Sequence, residues 1–107
     1  MININFLVLS TGDLMGFNIE GHSEMAQAGY DIVCAAVSSA AYMTANTITE
    51  ILKASADVSV EKIGKMSVKV NYKNINLCKD ILLGFKIHVI ALEEQYPENI
   101  TVNYTEV

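Results

Sequence analysis

A chain of 107 residues, 51% of them apolar, with seven basic against twelve acidic side chains and a net charge of -5, has the size of one compact domain over 1–107 and is too short to bury two cores. That charge balance excludes the basic footprint of a nucleic-acid or anionic-membrane binder and suits a cationic protein partner better. The opening Met1-Ile2-Asn3-Ile4-Asn5-Phe6 has no basic segment and no small-residue cleavage site, and the longest unbroken apolar run, Ile32 to Val37, is six residues, so neither a secretory leader nor a membrane span is expected. In the cytoplasm thus inferred thiols stay reduced, and Cys34 and Cys78 are expected as two thiols, not as a disulfide.

Ile2, Ile4, Phe6 and Val8 alternate with Asn3, Asn5 and Leu7, the period of a strand with one buried face. Thr11-Gly12-Asp13 supplies a turn, and Met15, Phe17 and Ile19 form a second strand that ends near Gly21-His22. A loop from Ser23 to Gly29 follows. From Asp31 to Ala54, Val33, Val37, Ala40, Thr44, Ile48 and Ile51 recur three or four apart, which predicts a long amphipathic helix with Asp31 as its N-cap. Val58 and Val60, then Met66, Val68, Val70 and Tyr72, form a second hairpin around Ile63-Gly64-Lys65. Cys78, Ile81, Leu82, Phe85, Val89 and Leu92 trace a second helix that starts near Asn76 and stops before Pro97. Ile100, Val102 and Tyr104 close the chain as a last strand. The order ββαββαβ predicts an α+β fold: a two-layer sandwich with a mostly antiparallel or mixed sheet, one face wet and the other covered by two helices.

Chemistry concentrates between Gly21 and Ser38. A histidine at a strand end precedes a cysteine expected in the first turn of a helix, where the partial positive charge of the helix N-terminus and its unpaired amides favour a thiolate. An imidazole within reach completes an activated nucleophile. On residue type alone, Cys34 reads first as a small core residue and His22 as a polar strand end, and only then as a catalytic pair. Asp31 reads as a cap or as a group that orients His22. Ser38, one turn beyond Cys34, either lines a peptide cleft or bonds back to its own helix. Cys78 reads as core. Structural zinc favours closely paired ligands, and His22, Cys34, Cys78 and His88 show no such pairing. With no phosphate loop and no dinucleotide fingerprint either, no metal and no cofactor is indicated.

Gly21-His22 followed by Asp31-Ile32-Val33-Cys34-Ala35-Ala36-Val37-Ser38 resembles the signature of the ribosomal-processing cysteine protease family, Prp. The resemblance extends from the first hairpin to Glu93-Glu94-Gln95-Tyr96-Pro97. It implies a homodimeric α/β peptidase that removes a short N-terminal extension from a large-subunit ribosomal protein, with His22 and Cys34 as the catalytic pair. Gly21 and Ser38 are then candidates for contact with the peptide, and Ser23 to Tyr30 for a clamp over it. Two other function classes fit the same residues: a non-catalytic dimeric module that binds a ribosome-assembly partner, and a redox-sensing thiol protein. The latter lacks a nearby resolving cysteine.

Overall fold

Alternation of apolar and polar residues builds the sheet from its first strand. In a computed structural model, which describes residues 1–21, 28–61 and 64–107 and the side chains among them outside 28–31, β1 (Ile2–Val8) buries Ile2, Ile4 and Phe6 completely. β2 (Leu14–Glu20) returns antiparallel and pairs Phe17 with Phe6 and Ile19 with Ile4. Between Leu7 and Val8 the register shifts, so that Leu7 faces Gly16 while Val8 faces Leu14. Met15 is the extra residue of this bulge. Strict alternation puts Met15 in the core beside Phe17, whereas the bulge puts Leu14 there, and Met15 stays outside the core cluster.

β3 (Ala56–Glu61) and β4 (Lys65–Val70) form the second hairpin, which pairs Val58 with Val68 and Val60 with Met66. β4 also pairs with β2 and so joins the two hairpins. At Gly16 the two strands pass so closely that a Cβ would collide with the carbonyl oxygen of Val68. β5 (Ile100–Glu106) runs parallel to β1, which gives the order β3-β4-β2-β1-β5. β4 ends at Val70, two residues before the expected Tyr72. The side chain of Asn71 accepts the Lys73 amide at 3.1 Å and opens a 3-10 turn, Tyr72–Asn74, that carries Tyr72 out into solvent.

α1 (Ala28–Asn46) and α2 (Ile75–Gln95) complete the chain. One hydrophobic cluster joins Ile4, Phe17, Val68 and Ile100 of the sheet to Val37 and Ala41 of α1 and to Leu82 and Phe85 of α2, so both helices cover the same face. The Phe85 ring lies 4.4 Å from that of Phe17 and 5.8 Å from that of Phe6, centroid to centroid. The other face is polar, with hydrogen bonds from Ser67 to Asn18 at 2.9 Å and from Thr105 to Asn5 at 3.0 Å. The expected two-layer α+β sandwich is therefore the observed one.

The first helix differs at its far end, where a π-turn (Thr47–Ile51) replaces α geometry. The hydroxyls of Thr44, Thr47 and Thr49 each donate to the carbonyl four residues back, at 2.8, 2.8 and 3.1 Å, and such bonds compete with the helix ladder. Lys53, at φ 53°, then turns the chain out. By length and composition Ile32–Ile51 could cross a membrane, but here Val33, Val37, Ala41, Ala45 and Ile48 of this stretch fill the core. At the end of α2, which stops at Gln95 as Pro97 requires, the Glu93 carboxylate accepts the Val102 amide at 2.7 Å and ties the helix to β5.

Candidate active site

β2 delivers the chain to Gly21, whose φ of +93° suits glycine and whose added Cβ would collide with the carbonyl oxygen of Met1. The Gly21 amide donates to the Gly64 carbonyl at 3.2 Å, which fastens the end of β2 to the turn between β3 and β4. The point from which the chain enters His22 is thus fixed from two sides. His22 and residues 23–27 lie outside the described residues. The loop expected over Ser23 to Gly29 ends earlier, because Ala28, Gly29 and Tyr30 already belong to α1.

That early start moves two candidates. Asp31 is the fourth residue of the described helix, not its N-cap; its side chain lies outside the described residues. Cys34 is the seventh, in the second turn instead of the first. The helix-terminal field fades within the first turn, and only the first four amides lack an intrahelical acceptor. The helix terminus therefore favours a Cys34 thiolate less than the sequence suggests.

Burial separates the two cysteines. Cys34 is 8% exposed, at the rim of the core, whereas Cys78 is 0% exposed on the inner face of α2. Burial pushes the Cys78 thiol above its ordinary value. Ser38, one turn beyond Cys34, is half-buried.

The orientation of α1 follows from its neighbours. Ala36, Ala40 and Met43 line a groove against Ile81, Gly84 and His88 of α2. Helical spacing puts Cys34 and Ser38 on the opposite flank, away from α2 and from His88. Because α2 packs on β2 and β5, that flank faces the β4–β3 side of the sheet. There, sequence reasoning missed something: Val58 and Val60 point to the helix-covered face but remain 41% and 50% exposed. Their alternation with Asp57, Ser59 and Glu61 was visible, but an edge position for β3 was not, since it depends on how the hairpins pair.

The family model described as cysteine protease Prp matches residues 1–101. The chain belongs to the Prp family. The ribosomal processing cysteine protease Prp of Staphylococcus aureus is 29% identical, an alignment that takes in 97% of this chain and 99% of that relative. The crystal structure of an essential ribosomal processing protease Prp from S. aureus in complex with a substrate peptide has a TM-score of 0.90 at 25% identity, covering 98% of this chain and 100% of that one. The S. aureus Prp with a covalently linked product peptide gives 0.86 at 26% identity over the same shares. A Streptococcus mutans protein has the same fold, with a TM-score of 0.87 at 23% identity over 100% of this chain and 99% of that one. The resemblance carried by Gly21-His22 and residues 31–38 therefore holds over nearly the whole chain, and the activity class is that of a cysteine protease.

Proposed function

We propose that this Prp-family protease uses Cys34 as its nucleophile and His22 as its general base, and that it removes a short N-terminal extension from a large-subunit ribosomal protein. The observation that carries the assignment is the placement of the chain's two thiols. A cysteine protease needs a thiolate that a peptide can reach. Cys34 is at the rim of the core on the flank of α1 that faces the open side of the sheet, and Cys78 is enclosed.

His22 takes the Cys34 proton, and the thiolate attacks the scissile carbonyl carbon, forming a C–S bond. The tetrahedral intermediate collapses with loss of the C–N bond as protonated His22 gives its proton to the leaving amine. A thioester to the N-terminal fragment remains. His22 then deprotonates a water that attacks the thioester carbonyl, and the sulfur leaves and is reprotonated. Gly21 serves this scheme by fixing where His22 begins, and Ser38 by lining the same flank one turn beyond the thiol. Asp31 serves as an orienting group for the imidazole.

A homodimer in the cytoplasm is part of this reading; Ile32 and Met43 on α1 and Ile87 on α2 expose apolar surface for it. The acidic chain, at net -5, suits a basic ribosomal substrate. The test is intact-mass analysis of a large-subunit ribosomal protein carrying its extension after incubation with wild type, Cys34→Ala and His22→Ala. Cleavage by the wild type alone supports the proposal. Binding without cleavage by any of the three would favour a non-catalytic assembly module.

A further inference from the structure

On the helix-covered face, two cross-strand rows run outward from the core to the β3 edge, and both lose their cover on the way. In one, Ile19 and Met66 are 1% and 2% exposed but Val60 is 50% exposed; in the other, Phe17 and Val68 are fully buried but Val58 is 41% exposed. On the opposite face, charge alternates by strand: Lys65 and Lys69 of β4 stand against Glu61 and Asp57 of β3. Among the described residues β3 has β4 on one side and no strand on the other. It has no lysine among its six residues and no proline, two devices that usually blunt an exposed edge.

Resting on the protease reading above, we infer that the β3 edge receives the substrate as an added antiparallel or parallel strand, with apolar side chains over Val58 and Val60 and basic ones beside Asp57 and Glu61. Such strand addition takes its affinity from main-chain hydrogen bonds and its specificity from alternate side chains. The apolar row would complete a face that the helices leave half covered. The basic row would continue the basic-acidic alternation of β4 and β3, since opposite charges attract across neighbouring strands and like charges repel. The edge is also next to the chemistry. The flank of α1 that carries Cys34 and Ser38 faces this side of the sheet. The Glu61 end of β3 leads into the turn whose Gly64 carbonyl holds Gly21, the residue before His22. A peptide added to β3 would lie in an extended form that exposes its carbonyls, on the side of the sheet that the Cys34 flank of α1 faces.

The inference is tested with folded Cys34→Ala protein and a fluorescent ten-residue peptide that alternates leucine with lysine, against one in which glutamate replaces the lysine. Anisotropy should show the lysine peptide binding about tenfold tighter or more. Val58→Lys and the double variant Asp57→Asn/Glu61→Gln should each weaken it by a similar factor, and the double variant should flatten the salt dependence whereas the uncharged Val58→Ser should weaken binding and leave that dependence unchanged. Circular dichroism checks that each variant folds. Equal binding of both peptides, or unchanged affinity in all three variants, would overturn the inference. So would a change from dimer to monomer on Val58→Lys with peptide affinity intact, because a second copy would then occupy the edge. The two readings fail separately. If Val58→Lys in the Cys34 protein cuts the ribosomal substrate with unchanged KM while Cys34→Ala does not cut it, the edge is wrong and the protease stands. If wild type cuts nothing but the lysine peptide binds at β3, the reverse holds.

Discussion

The Cα of Gly21 lies so close to the carbonyl oxygen of Met1 that no side chain fits between them. The last turn of chain before His22 is therefore set by the first residue of the protein, through the start of β1. Gly21→Ala is expected to meet two penalties, a left-handed φ and a backbone collision, and to destabilise the fold by about 1–3 kcal/mol. Thermal melts should fall by about 4–8 °C per kcal/mol lost. Cleavage at a temperature where the variant is folded should still drop, since His22 begins from a displaced position. A variant that melts like wild type and cleaves at the same rate would contradict this.

The two thiols should respond differently to iodoacetamide. Cys34, at the core's rim, should be alkylated about tenfold faster or more than Cys78, which is fully enclosed and whose thiol burial holds protonated. Peptide mapping by mass spectrometry reads both sites in one sample. Equal rates would point to local opening of α2 and remove the argument that selects Cys34.

Cys78 also gives the fold a pH dependence. Its folded pKa is raised above the ordinary 9.0. Below the unfolded value both states hold the proton and the contribution of the buried thiol is fully present. As pH rises through that value the unfolded chain ionises first, so stability is lost until the folded thiol ionises too. Denaturant midpoints at about pH 7 and about pH 10 should diverge more for wild type than for Cys78→Ala. An identical divergence in both would assign the effect to other groups.

Glu93 stands in the closing motif of the sequence, but its contribution is structural. Its carboxylate accepts the amide of Val102, a part-buried group at the start of β5. Glu93→Ala leaves that amide unsatisfied and should cost about 1–3 kcal/mol, whereas Glu93→Gln keeps an acceptor and should cost less. Urea titration of the two variants separates them. Equal losses would mean that the charge and not the hydrogen bond matters.

The strands, their hairpin pairing and the two-layer plan were legible in the sequence because Ile2, Ile4 and Phe6, or Met66, Val68 and Val70, alternate without interruption. The exceptions have local physical causes. Met15 leaves the core because one bulge reverses the alternation. Tyr72 leaves β4 because the Asn71 side chain captures the next turn. The π-turn after Asn46 reflects three threonine hydroxyls bonding back along the helix, which apolar spacing does not record. At the site, a glycine just past the end of the second strand and a cysteine on the first helix could be read directly. The helix start could not, since Asp31 has the chemistry of a cap but Ala28, Gly29 and Tyr30 before it are already helical. The β3 edge was hidden for a different reason: Val58 and Val60 look like any buried strand until the sheet order leaves them at its border.

The central claim is a covalent one, that the Cys34 sulfur carries the N-terminal fragment of the substrate as a thioester. Acid-quenching the enzyme with its ribosomal substrate within one turnover, followed by intact-mass and fragment-ion analysis, tests it most directly. The expected result is a protein heavier by the acyl fragment, with the addition mapped to Cys34, released by hydroxylamine and absent from Cys34→Ala. Cleaved product that accumulates with no adduct on Cys34, or an adduct mapped to Cys78, would contradict the account.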